Sequence, residues 1–223
     1  MTLREASAKA PAPKLRAADV AYDTIENMIV TLQLEPGSPI VEAELVEATG
    51  LGRTPLREAL MRMSSNGLIV QLPRRGLIVS DIDAAGHLNV IETRRVLERL
   101  IASSAARRAT PQQRKDMVAR AQKMMAAAKK DDLQGYMQAD QALDHVVHAA
   151  CRNPAAVSAV IPLIIQCRRF WYAYQHEGDV TEGARSHMSM AEAIADGNPE
   201  AAMRGADSLM DYLESFARKI IDG

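Results

Sequence analysis

The chain has 223 residues, 48% of them hydrophobic, and a formal net charge of −1. That length suits two domains rather than one small core, and the apolar share is enough to pack both. No apolar run approaches the ~20 residues of a membrane span, residues 1–18 lack the apolar centre of a secretory signal, and the two cysteines, Cys151 and Cys167, exclude a disulfide framework or a zinc ribbon. A cytoplasmic protein is expected.

Residues 1–18 are rich in Ala, Pro and Lys and read as a flexible tail. Asp19 can cap a first helix, in which Ala21, Ile25, Met28, Ile29 and Leu32 recur at helical spacing. Glu35, Pro36 and Gly37 end it with a turn. Residues 42–49 predict a short helix stopped by Gly50, and Leu51 with Gly52 makes a corner. A third helix starts between Gly52 and Pro55, carries Leu56, Ala59, Leu60 and Met63 on its apolar face, and ends at Gly67. The period then changes. Residues 68–72 and 77–80 are short, apolar and β-branched, and they flank a turn at 73–76, which is a hairpin pattern. Three helices with a tight corner, followed by a two-stranded wing, make residues 19–80 a winged helix-turn-helix.

After Ser80 the pattern is helical throughout. Asp83 can cap a helix running to about Arg108, and Thr110, Pro111 and Gln113 form a capping box. Later starts fall at Asp131 or Asp132, Asn153, Thr181 and Asn198, and Pro162 is predicted to kink or break the helix that follows Asn153. The fold class is therefore mainly α, with an all-helical bundle of about six helices over 81–223.

Charge is uneven along this chain. Residues 50–80 carry Arg53, Arg57, Arg62, Arg74 and Arg75 against Glu58 alone, a local basic footprint on a nearly neutral chain. Arg53 and Arg57 lie one turn apart on one helix face, with Thr54 beside them at the helix N-terminus, where a phosphate is favoured. Arg74 and Arg75 occupy the hairpin tip, and Gly76 allows close approach to a DNA backbone. On charge alone an ordinary solvated surface is the alternative.

The stretch LEPGSPIVEAELVEATGLGRTPLREALMRMSSNGLIVQLPRRGLIV at 34–79 resembles the DNA-binding domain of the GntR family of regulators, whose hallmark is matched by RTPLREAL at 53–60. The resemblance implies operator contacts by Arg53, Thr54 and Arg57, and by Arg74, Arg75 and Gly76 at the wing tip. Two departures stand out: Gly52 replaces the serine usual before the hallmark arginine, and Ala43 stands where some relatives carry a basic residue. The remainder resembles the FCD effector domain of the FadR subfamily. The match rests on IETRRVLE at 91–98, on DQALD at 140–144 with Asn153 and Pro154, and on His187 with Ala193, Ile194, Gly197 and Asn198.

This second resemblance implies a homodimer held by residues 81–223, double-stranded operator DNA as partner, and a small carboxylate effector. Arg94, Asp140 and His187 would meet at its cavity, with Arg94 receiving the carboxylate; a salt bridge to Glu98 is the other use of Arg94. Arg168, Arg169, Trp171 and Tyr172 cluster on one helix and line either the cavity or its rim. Relatives of this type often hold a divalent metal on an Asp, a His four residues later and two further histidines. Here Asp140, Asp144 and His187 remain, and Leu209 falls at the last position, so the resemblance implies at most a weakly held ion. A register one turn later would use Asp144 and His148. No metalloprotease, phosphate-loop or nucleophile-elbow motif is present, which argues against an enzyme. The rivals to a ligand-responsive regulator are a constitutive DNA-binding protein with a vestigial pocket and a metal-dependent hydrolase.

Overall fold

The computed structural model describes residues 16–175 and 179–222; residues 1–15 of the tail lie outside this range. Helix α1 (Ala17–Val30) buries Ala21, Ile25 and Ile29. It begins three residues earlier than expected, with Arg16 rather than Asp19 at the N-cap. Asp19 does not cap it. It lies in the first turn, where a carboxylate suits the helix dipole, and accepts from Arg62 Nη1 at 2.9 Å.

Helices α2 (Glu42–Thr49) and α3 (Arg53–Ser65) form the helix-turn-helix. Their corner depends on Gly50, whose φ of 68° lies in the left-handed region that a side chain disfavours. Leu56, Ala59, Leu60 and Met63 are all buried, as their spacing predicts. Gly52 is the N-cap and offers no side-chain oxygen, so the first turn of α3 lacks that hydrogen bond. Strands β1 (Ile69–Leu72) and β2 (Gly76–Val79) pair antiparallel, Ile69 opposite Val79 and Leu72 opposite Gly76. The segment before α2 pins this wing: Ile40 N donates to Leu77 O at 2.8 Å, and Val79 N to Ser38 O at 2.9 Å.

Six helices follow: α4 (His87–Arg108), α5 (Pro111–Ala128), α6 (Leu133–Cys151), α7 (Pro154–Tyr174), α8 (Asp179–Ala195) and α9 (Pro199–Ile221). Their starts follow side-chain chemistry. Thr110 and Gln113 make the reciprocal capping box of α5, and Asp132, Asn153 and Asn198 cap α6, α7 and α9. Asp83 accepts from Gly86 N, but that bond closes a turn, and α4 begins only at His87. Helix α8 begins at Asp179, ahead of Thr181. Of the kink or break expected at Pro162, the break does not occur: α7 runs through the proline. Burial of Val160, Ile164, Ile165 and Phe170 on both sides of the proline outweighs one lost backbone bond.

Helix α4 packs against α6, α7, α8 and α9. Arg95 ties it to α9 through Asp211 at 2.7 Å and Glu214 at 3.2 Å. The two domains meet chiefly where α1 lies on α7.

Candidate DNA-binding face and effector cavity

The first N–H groups of α3 face outward with Arg53, Thr54 and Arg57, all exposed. Arg57 is held by Glu42 of α2, Nε to Oε2 at 2.7 Å, so the α2 carboxylate orients the α3 guanidinium. The wing tip presents Arg74, Arg75 and Gly76, also exposed. Arg75 N donates to Leu72 O at 3.2 Å, closing a turn with Pro73 in its second position. Arg74 takes the third position with φ 64°, a conformation that usually selects glycine. A cation thus sits at the apex of the wing despite backbone strain. Exposed arginines thus stand both on α3 and at the tip of the wing.

In the bundle, Arg94 of α4, Asp140 of α6 and His187 of α8 line one cavity of about 30 Å³. The volume is small, roughly that of two water molecules. Arg168 and Trp171 of α7 also line it, as does Tyr212 of α9, whereas Tyr172 is absent from its wall and Arg169 turns away to the Ser80 carbonyl and hydroxyl. Trp171 Nε1 donates to Tyr212 Oη at 2.7 Å, and the Trp171 ring stacks on Tyr136. Gly183 makes room for this aromatic wall: a Cβ there would lie 2.5 Å from the Tyr136 hydroxyl.

The polar groups are mutually committed. Arg94 Nε donates to Glu98 Oε1 at 2.9 Å, both side chains about 5% exposed. The salt bridge that competes for Arg94 is therefore formed, while Arg94 still lines the cavity. Arg168 donates through Nε to Asp140, through Nη2 to Asp144 at 2.7 Å, and through Nη1 to Glu26 of α1 at 3.3 Å. His187 places Nδ1 2.8 Å from the Gly183 carbonyl and Nε2 3.0 Å from Asp140 Oδ1. Both neighbours are acceptors, an arrangement that favours the protonated ring. Burial alone would lower its pKa, but the bond to Asp140 and that residue's charge raise it. Burial would likewise raise the pKa of Asp140; Arg168 and His187 override it and hold the carboxyl well below its usual range.

The expected ligand set of Asp140, Asp144 and His187 gains no support from this geometry. A metal requires a bare imidazole nitrogen and free carboxylate oxygens. Here the guanidinium of Arg168 already bonds both aspartates, and both His187 ring nitrogens face acceptors. No group of three or more histidines, cysteines or acids that could hold a metal occurs among the described residues. Asp144 is engaged by Arg168, which also removes it from the register that pairs it with His148, and Leu209 is a core residue. The donor set does not fit a resident divalent ion.

Two participants escaped the sequence reading. Arg168 stood in a cluster whose facing was open, because the run of five polar and aromatic residues at 168–172 leaves the inward pair ambiguous. Glu26 was missed outright. Its signal was present: it lies four residues after Tyr22 on the buried side of α1, where a carboxylate requires a cationic partner.

A winged helix-turn-helix joined to a helical bundle with a buried polar cavity defines a class of transcriptional regulators. The chain belongs to the GntR family: residues 17–79 match the model for bacterial regulatory proteins of the gntR family, and residues 89–212 match the FCD domain. It is 33% identical over 135 residues to an HTH-type transcriptional regulator in the TAR-I ttuE-ttuC' intergenic region of Agrobacterium vitis, spanning 59% of this chain and 78% of that one. It is 23% identical over 200 residues to the Escherichia coli HTH-type transcriptional repressor RspR, covering 89% and 88% of the two chains. Among solved structures, Escherichia coli McbR/YncC has the same fold, with a TM-score of 0.78 at 16% identity over 93% of this chain and all of that one. A GntR regulator from Rhodococcus sp. RHA1 has a TM-score of 0.65 at 17% identity, covering 94% and 99%. No described helix is long and apolar enough to cross a membrane.

Proposed function

We propose that this regulator binds operator DNA as a homodimer and that a small carboxylate in the helical-domain cavity sets its DNA affinity. The observation that carries the effector reading is the enclosure of two buried guanidinium groups, Arg94 and Arg168, and the His187 ring around one cavity. Buried cations of this kind recognise carboxylates through paired hydrogen bonds. At about 30 Å³ the cavity must widen around such a ligand. Operator contact falls to Arg53, Thr54 and Arg57 in the major groove and to Arg74, Arg75 and Gly76 at the backbone or minor groove. Dimerisation is supported by α4, whose outer stripe exposes Val96 at 68% and Leu100 at 43% between polar neighbours. Two copies joined there would present paired recognition helices to a near-palindromic site.

A thermal-shift panel of small mono-, di- and tricarboxylates, with amines of matched size, tests the effector class. A carboxylate bound by the folded state raises Tm by mass action. A panel in which only amines raise it would replace the carboxylate by a cation. A panel with no response would favour the constitutive DNA-binding protein.

A further inference from the structure

Arg168 faces two ways. It lines the cavity, and it also lines a separate hollow of about 100 Å³ between α1 and α3 on one side and α6 and α7 on the other. Its bonds divide in the same manner. Two of its nitrogens hold Asp140 and Asp144 of α6, and the third reaches Glu26 of the DNA-binding domain. We propose that Arg168 is the relay between the two domains: a ligand carboxylate entering the cavity takes the donor that Glu26 holds, and the contact between α1 and α7 loosens. The proposal rests on the effector reading above and adds the route by which occupancy reaches the DNA-binding domain.

The charge balance favours a displacement. Three carboxylates, Glu26, Asp140 and Asp144, surround Arg168 and His187, and Arg94 bonds Glu98 through Nε. A further anion that engages Arg168 competes with carboxylates already bonded to it. Asp140 is held from two sides by Arg168 and His187, and Asp144 by a bond of 2.7 Å. Glu26 is held at 3.3 Å by Arg168 and at 3.3 Å by Gln141, the longest contacts of the set. It is the partner given up at least cost. Once released, it is a buried carboxyl group without its cationic partner, and outward movement of α1 returns it to water. The next residue along α7 strengthens the link. Arg169 grips Ser80 at the end of the wing, so one helix both lines the cavity and holds the DNA-binding domain at two points.

Linkage is reciprocal: if cavity occupancy alters DNA affinity through this contact, DNA binding must alter the cavity. Trp171 is the only tryptophan of the chain, lies one turn beyond Arg168 and lines the same cavity. Its emission can therefore be followed while full-length protein is titrated with a duplex that the wild-type protein itself selects from a random pool. The expected result is a shift in wild-type emission that saturates with DNA binding, and loss of that shift in Glu26→Gln, which keeps the side-chain size and still binds the duplex. Glu26→Asp, which keeps the charge and shortens the reach, is expected to diminish the shift. A wild-type protein that binds the duplex with silent Trp171, or a Glu26→Gln protein with the full wild-type shift, overturns the relay and leaves the regulator reading intact. Should Glu26→Gln not fold, an undiminished shift in Glu26→Asp overturns it equally. A wild-type chain that retains no duplex overturns the regulator reading and the relay together.

Discussion

At the scale of single residues, the DNA-binding face rests on a few arginines, each placed by a different device. Arg57 is oriented by Glu42, and it projects 66% exposed from the recognition helix. If it reads a base, Arg57→Ala should weaken binding to a selected operator by about 1–3 kcal/mol. A gel-shift titration with unchanged affinity would remove Arg57 from the interface. Arg74 is placed by strain. Its φ of 64° suits glycine, so Arg74→Gly should raise stability, by up to about 1 kcal/mol, while weakening duplex binding. Denaturant melts and DNA titrations moving in opposite directions would establish that strain is tolerated for contact; both falling together would show that Arg74 holds the wing in shape. Much of this face was legible in the sequence, because a basic hairpin tip and an arginine pair at helical spacing are local patterns. The Glu42 contact was not, since it joins residues 15 apart across a corner.

At the scale of elements, α7 carries the account. The sequence placed its start at the Asn153 cap correctly, and of the kink or break it predicted at Pro162 the break does not occur. Its inward facing could not be read either, because Arg168 and Arg169 are adjacent and only the neighbouring helices decide which one enters the cavity. The cation that competes with a metal at Asp140 and Asp144 was not legible for the same reason: it comes from another helix, 28 residues from Asp140 and 24 from Asp144. The contact between α1 and α7 has a measurable pH signature. Burial pushes Glu26 up from its ordinary 4.5 to about 7, with Arg168 opposing the rise and Asp23 and Asp144 adding to it. An acid whose folded pKa is raised contributes full stability below the unfolded value and loses it as pH climbs through the folded one. Between pH 4.5 and 7 the loss amounts to roughly 3 kcal/mol. His187, also raised, acts in the same direction above its ordinary 6.5. Unfolding should therefore occur at higher denaturant near pH 5 than near pH 8, and Glu26→Gln should remove much of that difference. A wild-type protein more stable at the alkaline end would contradict a Glu26 whose burial disfavours its ionised form.

At the scale of the whole molecule, one continuous apolar core runs through both domains, and the charged contact between Glu26 and Arg168 is set at their junction. The domain order and the helical class followed from a change of period at Leu68 and from the helix-capping signals beyond Ser80; the interdomain contact did not, because it brings together Glu26 and Arg168, which lie 142 residues apart. Assembly depends on α4. Full-length protein should sediment as a dimer at micromolar concentration, and Val96→Glu with Leu100→Glu should yield a folded monomer. A dimer unaffected by both changes would place the interface elsewhere.

The central claim is that cavity occupancy governs DNA affinity, and fluorescence anisotropy tests it most directly. A labelled duplex selected by the protein is titrated at fixed salt, with and without the carboxylate that most raises the Tm. The account predicts a change in affinity of about 5- to 150-fold, the usual span of coupling between linked sites. An affinity left unchanged by a carboxylate that stabilises the protein would contradict it.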